Sequence, residues 1–203
     1  MVRSDIVNGS IVIIGDSTTS GTKYGGQGTQ NWARIVEDRA TAERLNLSFT
    51  VSGKGGSGYI RQGTGGTTFV TETKRLVSRA TTLVVYFGSS NDLGVQGNYP
   101  QAVDAALDEV KSAAPSAKVL VVAPLWSRRE APPAQLAECR GVLAAEARSH
   151  TVNYLDPVGD NWLGDRVGMV GGDGVHPTDQ AHRVVADRLF PEIKRLAVQN
   201  EQQ

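Results

Sequence analysis

The sequence predicts an α/β fold, a three-layer α/β/α sandwich in which helices cover both faces of a five-stranded parallel sheet. Short apolar runs alternate along the chain with segments of helical periodicity, as in consecutive βαβ units. The run Leu83–Phe87 is apolar throughout, which is typical of a strand buried on both faces. The polar residues best suited to chemistry follow these strands, at the edge where doubly wound sheets bind ligands.

The predicted strands are short and mostly rich in β-branched residues. The first ends at Gly15, and the second alternates apolar and polar positions. The third and fourth are continuous apolar runs, which favours a position inside the sheet. The five predicted strands are 11–14, 47–51, 83–87, 119–123 and 152–155.

The predicted helices place apolar residues at intervals of three and four, so each buries one stripe against the sheet. Pro115 ends the third of them. Pro191 lies inside the last, and we expect it to kink that helix or divide it in two. The predicted helices are 31–45, 70–77, 99–114, 133–147 and 177–198.

Composition limits the class of protein. The 203 residues, 39% of them hydrophobic, fit a single domain spanning 1–203 with short flexible tails at about 1–9 and 198–203. Lys plus Arg and Asp plus Glu both number 21, so nothing favours a nucleic-acid or polybasic membrane-surface partner. Cys139, the single cysteine, is expected to be a half-buried helical thiol, and it leaves no intrachain disulfide to mark an oxidising compartment.

Targeting features are also missing from the pattern. No stretch approaches the ~20 apolar residues of a membrane span, and the N-terminal residues have no signal-peptide character. We therefore expect a chain that is cytoplasmic or part of a larger assembly, with an undetermined oligomeric state.

Two segments carry a serine and a histidine that complement each other. Gly15-Asp16-Ser17 follows the first strand, where a turn can present the serine hydroxyl. Before the last helix, Asp173 precedes His176 by three residues, a spacing that lets the carboxylate orient the imidazole. Each segment alone is more often a turn or a helix cap, and His150 and His182 are expected to be surface residues of helices.

Two further segments offer hydrogen-bond donors. Asn91, after the third strand, can direct its side-chain amide at a developing oxyanion, although an Asn-Asp turn is the commoner use. A glycine in the stretch 53–58 can offer its backbone N–H to the same oxyanion. The stretch also matches G-x-G-x-x-G, the pattern of dinucleotide-binding loops. The second interpretation is disfavoured because the stretch follows the second strand, with no acidic strand end about 20 residues later.

Taken together, Ser17, Gly56, Asn91 and His176 occur in the order of the SGNH hydrolase superfamily, also called GDSL esterases and lipases, which this chain resembles from about residue 11 to 196. The resemblance implies a flavodoxin-like sandwich and a triad of Ser17, His176 and Asp173. It also implies an oxyanion hole formed by the Ser17 and Gly56 N–H groups and the Asn91 amide.

This sequence departs from the family pattern at two positions. Ser89 replaces a glycine of the Gly-x-Asn-Asp block, which is expected to affect the turn that aims Asn91. Val51 replaces an asparagine of the second block, so Gly55 or Gly58 remains an alternative to Gly56.

The resemblance implies ester hydrolysis that requires no metal and no cofactor. Because the loops around the site contain few large apolar residues, we expect a small-molecule or glycan ester with a short acyl group, an acetyl ester in particular. Asp16 and Trp126 are expected to contact it. The alternatives are a lipase or thioesterase for longer acyl chains, or a non-catalytic binding module of a larger assembly.

Overall fold

The sheet contains five parallel strands, as the sequence predicts. In the computed structural model, which describes residues 8–198, the strands are β1 (Asn8–Gly15), β2 (Asn46–Gly53), β3 (Leu83–Phe87), β4 (Lys118–Val122) and β5 (Asn153–Leu155). Their spatial order is β2-β1-β3-β4-β5, and every neighbouring pair is parallel. This is the flavodoxin-like order, whose topological switch point lies between β1 and β3.

Within residues 8–198, six α-helices accompany the strands, and the five longer ones correspond to the predicted helices. They are α1 (Ser17–Ser20), α2 (Trp32–Ala42), α3 (Phe69–Leu76), α4 (Tyr99–Ala113), α5 (Ala134–Ser149) and α6 (Asp179–Val198). Short 3-10 turns lie at Gly28–Gln30, Thr64–Gly66 and Ser90–Asp92. No helix within residues 8–198 is both long and apolar enough to cross a membrane.

The alternation of side chains along β1 divides the core into two layers. Ile11 and Ile13 pack on one face of the sheet with residues of α2 and α6. Val12 and Ile14 pack on the other face with residues of α3, α4 and α5. Because the central strands are covered on both faces, β3 is apolar throughout, and β1 and β4 are apolar over 11–14 and 119–122. The three-layer α/β/α prediction is confirmed.

Pro191 does not divide the last helix, so that alternative was wrong, whereas the alternative of a kink stays a prediction. Helix α6 runs from Asp179 to Val198 with Pro191 inside it. Its apolar stripe continues on both sides of the proline, since Leu189 and Ile193 are both buried in the same core. Packing of that stripe compensates for the hydrogen bond that proline cannot donate.

The predicted tails fall largely outside the described part of the chain. Residues 1–7 and 199–203 lie outside it. Residues 8 and 9 belong to β1, where they pair with Asn46 and Leu47 of β2, and residue 198 ends α6. These three positions are therefore part of regular structure rather than of a tail.

Candidate active site

The turn after β1 presents Ser17 at the topological switch point. Asp16 is the N-cap of α1, and its Oδ1 accepts a hydrogen bond from the Thr18 N–H at 2.8 Å. Gly15 has to be glycine, because a Cβ there would lie 2.1 Å from Thr19 Oγ1. The lack of a side chain at Gly15 thus lets the chain turn sharply enough to start a helix at Ser17.

The loop before α6 brings His176 to this serine. His176 Nε2 lies 3.1 Å from Ser17 Oγ, and His176 Nδ1 lies 2.6 Å from Asp173 Oδ2. The other oxygen of Asp173 accepts hydrogen bonds from the N–H groups of Val175 and His176. Partial burial raises the pKa of the Asp173 carboxyl, but the hydrogen bonds from His176 and Val175 outweigh it and hold that pKa at about 2. This carboxylate is therefore ionised and can orient the imidazole.

Asn91 reaches the same site from the end of β3. Its Nδ2 lies within 3.1 Å of Asp16 Oδ2 and of the Ser57 carbonyl oxygen, and 2.8 Å from Ser89 Oγ. Ser89 Oγ donates to Asp16 Oδ2 at 2.7 Å and accepts from the Asn91 N–H at 3.0 Å. The serine that replaces the family's glycine thus links Asp16 to Asn91 and fixes the turn.

Asp16 is almost fully buried between the Ser17 turn and Asn91, and its contact with a substrate stays a prediction. It is only 4% exposed, and its carboxylate accepts bonds from Thr18, Ser89 and Asn91. Burial raises the pKa of Asp16, and the hydrogen bonds from Ser89 and Thr18 oppose that rise. Its position is that of a support for the residues around it.

The glycine loop after β2 lies beside the Ser17 turn. The Lys54 N–H donates to the Gly15 carbonyl oxygen at 2.9 Å. The Gly58 N–H already donates to the Arg61 carbonyl oxygen, whereas the Gly55 and Gly56 N–H groups have no backbone acceptor within residues 8–198. Gly56 has φ +77°, a left-handed conformation that favours glycine. Gly58 is thus the weakest of the three candidates for an oxyanion donor.

A small cavity of about 30 Å³ lies at the centre of this arrangement. Six of its lining residues are Ser17, Asn91, Leu125, Ser127, Arg128 and His176. Trp126 is not among its lining residues: it is 8% exposed, its indole N–H donates to the Glu130 carbonyl oxygen, and it lines a neighbouring cavity instead. Trp126 thus lies beside the Ser17 cavity and not in its lining, and its contact with a substrate stays a prediction.

Two residues that the sequence did not single out support His176. The Tyr24 ring stacks on the imidazole with centroids 6.3 Å apart and an interplanar angle of 6°. Ser127 Oγ donates to the Val175 carbonyl oxygen at 2.7 Å, which joins the loop after β4 to the histidine loop. An aromatic residue within the glycine-rich segment after Ser17 was the only sequence signal for Tyr24.

His182 is a buried residue, contrary to the surface position expected for it. It is 1% exposed, and its Nδ1 accepts a hydrogen bond from the Trp32 N–H at 3.3 Å. Burial lowers the pKa of His182 to about 4, so the ring is neutral near pH 7. Gly26 passes directly over it, since a Cβ at Gly26 would lie 2.1 Å from His182 Nε2. A glycine in the loop is what permits the histidine to be covered.

Cys139 and His150, two further residues considered in the sequence, belong to α5 and its C-cap. Cys139 is half-buried, as expected, and burial raises its pKa to about 11, which disfavours the thiolate. His150 lies with Asp104 and Glu146 in a group whose ligand atoms are all within 4.8 Å. These residue types can hold a metal ion, but His150 Nε2 already lies 2.8 Å from Asp104 Oδ1, as in an ordinary histidine–carboxylate pair.

Comparison with known proteins decides the family. The model of the GDSL-like lipase/acylhydrolase family matches residues 13–184. The chain belongs to this family. A GDSL lipase of Mycobacterium tuberculosis is 37% identical over 187 residues, which cover 90% of this chain and 80% of that protein. This GDSL-family chain is accordingly a carboxylic ester hydrolase.

Solved structures of low sequence identity show the same fold. The crystal structure of TesA has a TM-score of 0.73 and 19% identity, and the alignment covers 92% of this chain and 99% of that one. A carbohydrate acetylesterase from Sinorhizobium meliloti has a TM-score of 0.68 and 18% identity, with 93% and 100% covered. The GDSL-family chain therefore shares its whole architecture with these proteins.

Proposed function

We propose that Ser17, His176 and Asp173 act as a catalytic triad that hydrolyses a carboxylic ester through a covalent serine ester. The observation that carries this proposal is the continuous hydrogen-bonded series from Asp173 Oδ2 through His176 to Ser17 Oγ, at 2.6 Å and 3.1 Å. Both distances are within the reach required for proton transfer between a base and a nucleophile.

The reaction consists of two proton-coupled steps. Ser17 Oγ attacks the ester carbonyl carbon while His176 Nε2 takes the hydroxyl proton, and the same proton then goes to the departing alcohol. Water next attacks the serine ester, giving its proton to His176, and the carboxylic acid leaves as Ser17 regains a proton. The ionised Asp173 stabilises the imidazolium that exists during each step.

Three donors are available for the oxyanion. They are the Ser17 N–H, the Gly56 N–H and the Asn91 amide, of which the last lines the cavity. Asn91 Nδ2 has two hydrogens and three protein acceptors within 3.1 Å. Donation to the oxyanion thus replaces one of these bonds, and Asp16 and Ser89 keep the amide in place during that exchange.

A short acyl group, acetyl above all, fits the site best. The cavity at Ser17 holds only about 30 Å³, and serine, asparagine and histidine side chains line much of it. The similar fold of a carbohydrate acetylesterase agrees with this choice. We propose that the acetyl group is carried by a carbohydrate or another small alcohol.

The second candidate substrate is an ester with a longer acyl chain, and a neighbouring cavity favours it. A cavity of about 170 Å³, lined in part by Trp126 and Trp162, shares Leu125 with the Ser17 cavity. A displacement of Leu125 would connect the two. Turnover of 4-nitrophenyl esters from C2 to C12 separates the candidates: the acetyl proposal predicts a maximum at C2, and a rise toward C12 contradicts it.

Variants of the triad test the chemistry itself. Hydrolysis of 4-nitrophenyl acetate by wild type, Ser17→Ala and His176→Ala is the direct assay. We expect both variants to lose at least about 10³-fold in kcat, because the nucleophile or its base is absent. Wild-type turnover by either variant, with an unchanged melting temperature, rules out the triad.

A further inference from the structure

Arg128, a cation, lies in the loop after β4 and lines the Ser17 cavity. The other lining side chains are neutral apart from Asp16 and His176. The Arg128 Nε is buried without a hydrogen-bond partner within residues 8–198. No carboxylate of the described part of the chain lies within 4.0 Å of its guanidinium nitrogens. Asp16, the acidic residue of the same cavity, is already bonded to Thr18, Ser89 and Asn91.

The surrounding contacts hold Arg128 in place without neutralising it. Its guanidinium lies over the Trp126 ring, 5.1 Å from the centroid, and its carbonyl oxygen accepts from Arg166 Nη1 at 3.0 Å. The preceding residue, Ser127, is bonded to the histidine loop at Val175. The arginine is thereby fixed beside the reacting groups before any ligand arrives, which reduces the entropy lost on binding.

A buried, charged N–H without an acceptor is unfavourable and is stabilised by an anion. The planar guanidinium edge matches a carboxylate, which can accept two parallel hydrogen bonds from it. Under the proposed function a short acyl group occupies the cavity of about 30 Å³, which leaves the alcohol portion of the ester to carry the anionic group.

We propose that Arg128 is a specificity-determining residue that binds a carboxylate on the alcohol portion of the substrate, so that acetyl esters of sugar acids are preferred over those of neutral sugars. The inference rests on the proposed function of Ser17 and His176. It narrows the substrate from any acetylated carbohydrate to one that carries a negative charge close to the esterified hydroxyl.

The test compares acetylated methyl glucuronoside with acetylated methyl glucoside, and acetate release is measured for both. The measured quantity is the ratio of their kcat/KM values, determined at ~0.15 M salt to limit long-range attraction. Wild type should favour the glucuronoside. Arg128→Gln should lower the ratio about 10- to 100-fold, and Arg128→Lys should lower it less, because lysine keeps the charge but loses the planar fork.

Arg129→Gln is the matched control. Arg129 is the exposed neighbour of Arg128, and it lines a different cavity with Arg166. This variant should keep the wild-type ratio. An equal fall in both variants would mean general charge attraction, and an unchanged ratio in Arg128→Gln would mean that no carboxylate is bound there; each overturns the proposal.

Two further outcomes separate this inference from the proposed function. A wild-type enzyme that hydrolyses 4-nitrophenyl acetate through Ser17 but does not favour the glucuronoside overturns the role of Arg128 alone. Retained hydrolysis of 4-nitrophenyl acetate by Ser17→Ala instead overturns the triad. If Arg128→Gln does not fold, the ratios of the wild type and of Arg128→Lys still decide the question.

Discussion

Asp16 shows, at the scale of single residues, how one buried carboxyl supports both sides of the site. One oxygen caps the helix that begins with Ser17, and the other accepts bonds from Ser89 and Asn91. Burial raises its pKa, against the hydrogen bonds from Ser89 and Thr18. Asp16 thus holds both the Ser17 turn and the Asn91 amide, which fixes their positions relative to each other.

Asn91→Ala tests the oxyanion donor. We expect kcat for 4-nitrophenyl acetate to fall by about 10²–10³, because one hydrogen bond to the developing charge is lost. The measurement is kcat at saturating substrate, with a circular dichroism spectrum to show that the variant is folded. A folded variant with wild-type kcat would remove Asn91 from the oxyanion hole.

At the scale of elements, Asp92 joins two of the loops that form the site. It follows Asn91 after β3, and its carboxylate accepts from the N–H groups of Tyr59, Ile60 and Arg61 at 2.8, 3.0 and 2.9 Å. Burial raises the pKa of Asp92 in spite of these bonds. The glycine loop after β2 is therefore held against the end of β3 by one side chain.

Asp92→Ala is expected to lower the free energy of unfolding by about 3 kcal/mol, because buried N–H groups lose their acceptor. Denaturation with urea measures this change. Asp92→Asn is the matched control, since its amide oxygen keeps part of the acceptor capacity and should cost less. Equal unfolding free energies for wild type and Asp92→Ala would contradict the joining role of Asp92.

At the scale of the whole molecule, His182 couples stability to pH. It is 1% exposed, and burial lowers its pKa from 6.5 to about 4. Between these pH values the unfolded chain binds a proton at His182 that the folded protein does not. Stability is therefore full above pH 6.5 and falls as the pH is lowered toward 4.

We expect the free energy of unfolding to fall by about 3 kcal/mol as the pH is lowered from 6.5 to about 4. His182→Gln should remove it, so that the unfolding free energy depends less steeply on pH than in wild type. Urea denaturation of both proteins at several pH values between about 4 and about 7 measures the difference. Identical slopes for the two proteins would mean that His182 has the same pKa in the folded protein and in the unfolded chain, and would contradict the prediction.

Much of the architecture follows from the sequence because the burial of a strand or helix leaves its pattern in a short, continuous stretch of residues. Leu83–Phe87 is apolar on both faces of its strand, and such runs fix the central strands before any contact is known. The positions of Ser17 and Asn91 follow as well, since each comes directly after a strand on either side of the switch point.

Other features depend on contacts between distant residues, which no local pattern encodes. His182 was expected at the surface, although its spacing of three and seven residues from Val185 and Leu189 places it on the buried stripe of α6. The loop that covers it could not be predicted, because Gly26, over 150 residues earlier, lies across its ring. The partners of Trp126 could not be predicted either: its indole N–H donates to the Glu130 carbonyl oxygen and its ring packs against Arg128. In α6, packing on the sheet outweighs the local effect of Pro191.

Covalent labelling with a fluorophosphonate tests the central claim, that Ser17 is a nucleophile activated by His176. Mass spectrometry of the labelled, digested protein identifies the modified residue. We expect one adduct, on the peptide containing Ser17, with none in Ser17→Ala and at least about 100-fold slower labelling in His176→Ala. Labelling at another residue, or at an equal rate in Ser17→Ala, would contradict the assignment.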